Sequence, residues 1–187
     1  MKKNAFIMIF FFVSFAGFLT ASALAGESKK EANPVKLDVS FADPIWDGNT
    51  VPNGQQCQRF GGNPSTPRLI VKSIPAGSNA IIMEYSDRDW PPMDEGGHGK
   101  IGYRIPKGTT ETVIPPVPGH TFDLPEGFFL VAAHQGSSWD TAGAYMPPCS
   151  GGMGNRYYVT VKAVYKASSE GEESKMLGIG KIELGRY

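Results

Sequence analysis

Asp87, His98 and Ser150 occur in the chain order acid, imidazole, hydroxyl that one class of protease uses, and Asn155, Arg156 and Tyr157 follow close behind the serine. An acid near an imidazole can orient the ring or take a cation from a ligand. Ser150, Gly151 and Gly152 could supply an oxyanion-hole turn. Hydrolysis through Ser150 is nonetheless the weaker expectation: no GxSxG elbow surrounds it, the spacings are short, and a neighbouring cysteine gives the position a structural use. The histidines His98, His120 and His134 fall at no metal-ligand spacing, so no metal and no cofactor is expected.

These groups need elements to hold them. Residues 144 to 165, AYMPPCSGGMGNRYYVTVKAVY, run from a loop of prolines and glycines into an alternating strand. Tyr157, Val159, Val161, Ala163 and Tyr165 share one face, and Tyr158, Thr160, Lys162 and Val164 the other, the two-residue period of a strand. Such a strand presents the loop from Cys149 to Arg156 at a fixed height, with little ordering cost on binding. Upstream, Ala80 to Tyr85 reads as a nearly continuous apolar strand covered on both faces. It ends in the polar cluster Ser86, Asp87, Arg88, Asp89 and Trp90, where binding residues often collect. His98 stands among three glycines, which lets another segment approach its backbone closely.

The 187 residues suffice for one domain with a real core. With 23 glycines, 15 prolines and no convincing amphipathic helix, the chain reads as mainly β with long loops. Lys2 and Lys3 precede an apolar run that ends in Ala23, Leu24 and Ala25, the pattern of a cleaved secretory signal over 1–25. Residues 26–34 read as a flexible mature terminus and 35–187 as the domain, with no transmembrane segment once the leader is gone. Without the leader, 16 basic face 18 acidic residues, so bulk charge attracts no nucleic acid. Export means an oxidising compartment, periplasmic or extracellular, where Cys57 and Cys149 most simply pair; two free thiols are the alternative.

Along the rest of the chain, Val35 to Phe41 alternates as a first strand, and Trp46 reads as a core plug beneath the loop that follows. Leu69 to Val71 and Ile101 to Ile105 are short strands, and GFFLVAAHQG a buried strand ending at His134. Residues 107 to 127 read as an irregular excursion in which Pro115, Pro116 and Pro118 exclude regular pairing. Trp90 and Trp139 read as loop plugs rather than stacking platforms, and MLGIGKIELGRY as the closing strand.

Taken in order, four segments resemble the phosphatidylethanolamine-binding protein family, whose bacterial branch is called Raf kinase inhibitor-like. CQRFGGNPSTPRL is similar to its cysteine, Gly-Gly-Asn and Ser-Pro entry, and EYSDRDWP to its Asp-Pro-Asp-Ala-Pro motif. HGKIGYRIP is similar to its His-Trp segment, and YMPPCSGGMGNRYYVTVKAVY to its Gly-Pro-Cys-Pro to His-Arg-Tyr segment. The resemblance implies a β-sandwich of a large and a small sheet with few short helices, and a small cavity that accepts anionic groups such as phosphate or a lipid head group. It places Asp87, Asp89, His98, Arg156 and Tyr157 at the ligand site, with Pro91 as the motif's last proline. Arg88, Trp90 and Gly99 depart from the motifs, and Asn155 stands where the family has a second histidine. Asn155 keeps a donor but cannot become cationic, so anion affinity should be weaker unless Arg88 compensates.

The resulting expectation is an exported, non-enzymatic binding protein with a small cavity for an anionic or polar ligand, lined by Asp87, His98, Arg156 and Tyr157. In it His98 and Tyr157 donate to ligand oxygens, the amides of Gly151 to Gly154 add donors, and Asp87 holds His98 or the loop. The alternatives are a protein-interaction module that inhibits a protease or other enzyme through surface loops, and the hydrolase using Ser150.

Overall fold

A computed structural model of the protein describes residues 33–168 and 172–187; the expected leader and residues 26–32 lie outside the described residues. Among the described residues, nine strands form two sheets, with two single-turn 3-10 helices, Gln58–Phe60 and Pro91–Met93. The strands are β1 (Val35–Lys36), β2 (Asp38–Phe41), β3 (Leu69–Lys72), β4 (Ala80–Asp87), β5 (Lys100–Arg104), β6 (Glu111–Ile114), β7 (Phe128–Ala132), β8 (Arg156–Tyr165) and β9 (Lys175–Arg186). The large sheet runs β1-β9-β8-β4-β5-β7, with only the β1 and β9 pair parallel, and the small sheet runs β2-β3-β6. The expected mainly β, two-sheet architecture is present.

The alternation read in residues 157 to 165 sets which face is buried. Tyr157, Val159, Val161 and Ala163 of β8 pair with Asp87, Tyr85, Met83 and Ile81 of β4. All eight are buried, and all but Asp87 join Leu69 and Val71 of β3 and Ile114 of β6 in the core between the sheets. Burying an aliphatic or aromatic side chain of this size contributes about 1.5–3 kcal/mol, so this interleaved face dominates the stability of the fold. The outward face of β4 is also largely covered, with Ala80 and Ser86 buried and Ile82 half-buried, and its polar member Glu84 accepts from Lys162 at 2.8 Å and faces Lys100 at 3.8 Å.

Three expectations change. The alternating stretch 35 to 41 is two strands: its first residues join β9, Leu37 is buried and donates its amide to Ile179 O at 2.9 Å, and the chain then crosses to the small sheet. Segment 107 to 127 does contain regular pairing, because Thr112, Val113 and Ile114 are β-branched and β6 is complete before Pro115 begins. β7 is an edge strand, with Leu130 and Val131 exposed rather than buried. Trp46 is the core plug it was expected to be, stacked on Phe41 with ring centroids 5.9 Å apart.

Candidate functional site

β4 and β8 end side by side, which places Asp87 opposite Tyr157 and brings the two loops that follow β4 and precede β8 together. A third loop is fastened to them by the Cys57–Cys149 disulfide, whose Cα atoms lie 5.2 Å apart. Cys57 N donates to Pro148 O at 2.9 Å in the same junction. Between these segments lies a cavity of about 260 Å³. Its interior is formed by the buried side chains of Asp87, His98, Tyr157 and Met93, with Asn155, Cys149 and Ser150 beside them. Its mouth carries Arg59, Trp90, Trp139 and Met153, all exposed to solvent.

His98 is held by backbone, not by an acid. Its Nδ1 lies 2.7 Å from Met146 O, and Met146 N donates to His98 O at 2.8 Å. Gly99 makes this approach possible. Its φ is +116°, and a Cβ there would stand 2.0 Å from Ala144 O, so the glycine found where the family carries tryptophan admits the 144–146 segment. A carbonyl can only accept, so Nδ1 carries the proton and Nε2 is left as a lone pair. Burial lowers the ring's pKa to about 4, against smaller opposing contributions from the Met146 carbonyl and Asp87, so at neutral pH the imidazole is uncharged and accepts.

Asp87 organises loops rather than the imidazole. Its Oδ1 accepts the Asp89 amide at 2.9 Å and its Oδ2 the Asn155 side-chain amide at 2.7 Å. Asn155 therefore turns a donor toward Asp87 where a second imidazole was expected. The Tyr157 hydroxyl accepts the Cys149 amide at 3.2 Å, and burial raises its pKa. The ring of Tyr157 meets that of His98 edge-on, with centroids 5.4 Å apart.

Two predicted site residues turn away. Arg156 grips Asp89 through Nε at 3.0 and 3.1 Å and through NH2 at 2.5 Å, and its amide donates to the same carboxylate. The hydrogen bonds from Arg156 hold the Asp89 pKa well below the usual carboxylate range. Both side chains are largely exposed and neither lines the cavity. Arg88 does not compensate: it pairs with Glu183 and lies over the Tyr158 ring at 4.8 Å, on the outer face. Ser150 Oγ donates to the main-chain oxygen of Tyr187 at 2.5 Å, and no imidazole is hydrogen-bonded to it among the described residues. The amide of Gly154 is engaged by the same oxygen at 2.7 Å, so it adds no donor to the cavity.

The sequence reading missed the mouth. Trp90 and Trp139 are not plugs but half-exposed rings beside the opening. His120 and His134, which seemed unassigned, brace the loop that carries Trp139: His134 Nε2 lies 2.9 Å from Thr141 O, and its Nδ1 accepts the Gly136 amide at 3.1 Å. His120 Nε2 accepts the Gln58 amide at 3.2 Å, linking that loop to the turn bearing Arg59. Arg59 was legible in principle, lying two residues from a cysteine expected to pair with Cys149. The Cys57 and Cys149 sulfurs and an Asp140 oxygen lie within 4.8 Å of one another, but the sulfurs are bonded together and offer no thiolate.

The architecture compares directly with solved structures. YbcL of Escherichia coli, described as a new member of the mammalian phosphatidylethanolamine-binding-protein family, matches at a TM-score of 0.51 and 17% identity, over 82% of this chain and 98% of its own. This is a phosphatidylethanolamine-binding-protein-like fold. A phosphatidylethanolamine-binding-protein homologue of Chlamydia trachomatis matches at 18% identity and a TM-score of 0.49, over 81% of this chain and 97% of its own. No family model matches the sequence, and no curated protein matches it. The candidate cavity lies where β4 and β8 end together, and of the residues the motifs marked, Asp87, His98, Asn155 and Tyr157 line it.

Proposed function

We propose that the protein is an exported, non-catalytic binding protein whose cavity receives a small polar or charged ligand between the ends of β4 and β8. One observation carries this reading: two buried polar side chains, Asp87 and His98, line a cavity that opens between exposed aromatic rings. Buried polar groups are costly unless partnered, and the free lone pair of His98 Nε2 gives a ligand its reward. The solved structures of this fold are those of phosphatidylethanolamine-binding-protein relatives, which supports a binding role and a ligand of head-group size. The leader-like residues 1–25 and the Cys57–Cys149 bridge support export. Segment 107 to 127 contributes no cavity residue.

An amide-resolved NMR titration of the purified protein with phosphate, acetate, ethylammonium, tetramethylammonium and glycerol tests the reading. Saturable shifts should cluster at Asp87, His98 and Tyr157 for at least one probe and weaken in a folded His98→Gln variant. Silence from the whole panel removes the proposal.

A further inference from the structure

The charge of the favoured ligand can be read from the hydrogen-bond directions. Resting on the cavity being a ligand site, we infer that it takes an organic cation, a protonated amine or quaternary ammonium, rather than the anion that the family resemblance implies.

The cavity interior presents acceptors. Asp87 is 4% exposed, and its carboxylate is held by neutral donors, the Asp89 amide, the Asn155 side chain and the Tyr157 hydroxyl, with no cationic side chain paired to it among the described residues. A buried carboxylate held by neutral donors alone is under-compensated, and a cation brought to it gains more than it would in water. His98, 3% exposed, adds the Nε2 lone pair. Charging the ring to receive an anion works against its burial.

The surrounding charges agree in sign. Asp140, its side chain 6% exposed, has an oxygen 3.8 Å from Cys149 Sγ and 3.6 Å from His120 Nδ1, a second carboxylate that lies beside the disulfide and lines an adjoining groove rather than the cavity itself. Arg156, the cation expected here, is held outside by Asp89. The cation that borders the opening is Arg59, which is exposed, lies against the Phe60 ring at 5.8 Å and is screened by solvent.

The mouth suits the same class. The rings of Trp90 and Trp139, 49% and 43% exposed, stand at the opening with the Met153 side chain. Tryptophan faces attract ammonium groups, and more strongly as water is excluded. The apolar mouth accepts the methyl or methylene groups of an organic cation, which a bare metal ion lacks.

The same titration panel separates the outcomes, with calorimetry for affinity. Ethylammonium or tetramethylammonium should bind saturably at His98 while phosphate and acetate do not. Asp87→Asn should weaken that binding about tenfold or more, and Trp139→Ala about three- to tenfold. If Asp87→Asn fails to fold, Asn155→His serves instead. A second imidazole restores a group that can charge, so phosphate binding should appear at mildly acid pH while ammonium binding falls. Binding of phosphate or acetate with no response to either ammonium overturns the inference and leaves the cavity an anion site. Unchanged ammonium affinity in a folded Asp87→Asn variant overturns it as well. Silence from every probe overturns both the inference and the ligand-site reading.

Discussion

The Asn155 side-chain amide donates to Asp87 Oδ2 over 2.7 Å, across 68 residues of sequence, and this contact locks the loop before β8 to the end of β4. It also fixes what the position can do. An amide engaged by a carboxylate stabilises the cavity wall and leaves the carboxylate's charge in place.

Removing that amide should therefore cost stability before it costs anything else. Asn155→Ala leaves Asp87 Oδ2 without its donor, and a hydrogen bond to a charged group contributes about 1.5–3 kcal/mol. Urea unfolding should show a loss of this size with an unchanged denaturant slope. A loss below about 0.5 kcal/mol would mean that the loops are held without it.

His98 predicts a pH dependence of defined sign. The native ring stays neutral down to about pH 4, whereas an unfolded histidine takes up a proton near 6.5. The stability tied to its neutral form is fully present above pH 6.5 and is lost as pH falls toward 4, an effect of order 3 kcal/mol. His134 is also lowered, by burial first, so it adds in the same direction. His98→Gln should flatten the acid limb of the stability profile without abolishing it. Nitrogen-15 spectra near pH 7 should show the Nδ1-protonated tautomer, and an Nε2-protonated ring would contradict the assigned geometry.

Ser150 should be inert. Its hydroxyl is engaged by the Tyr187 main-chain oxygen, so a serine-directed fluorophosphonate should leave the protein unlabelled. Stoichiometric labelling that disappears in Ser150→Ala would restore the hydrolase reading. In the absence of labelling, Ser150→Ala should cost about 1 kcal/mol, the value of one neutral hydrogen bond.

The disulfide links residues 92 apart, and the loop-closure entropy of a bridge of that length is about 4 to 5 kcal/mol at most. Thiol titration of the denatured, unreduced protein should find no free cysteine. Reduction should lower the unfolding midpoint and broaden the NMR signals of Arg59 and Ser150 before those of β4. Retained order around Arg59 would show that the three-way junction stands without the bridge.

The strand pattern around the site was plainly written, and its electrostatics were not. Alternation in 157 to 165 gave the two faces of β8, because a two-residue period has one physical cause, and the structure shows the Tyr157 face turned to the core. The break at Leu37 was hidden, since a strand that changes sheets keeps its alternation through the crossing. β7 read as buried because GFFLVAA is apolar throughout, and nothing local announces that a strand has no further neighbour. Asp87, His98 and Tyr157, singled out by type and motif, line one cavity. That Arg156 would be captured by Asp89, and that Trp90 and Trp139 would stand at the mouth, depends on which way loop side chains turn, and adjacency in sequence does not encode it.

The pairing of β1 with β9 bears on how the molecule is made. Val35 and Lys36 find their partners at Gly178 and Ile179, and Val51 N bonds to Arg186 O at 3.0 Å, so the opening segment of the domain waits for its closing strand. Contacts this distant in sequence slow folding, because the intervening chain must be gathered before any of them is rewarded. The large sheet stays open until β9 has been synthesised. A chain that cannot close early remains threadable, the state that the proposed export would require.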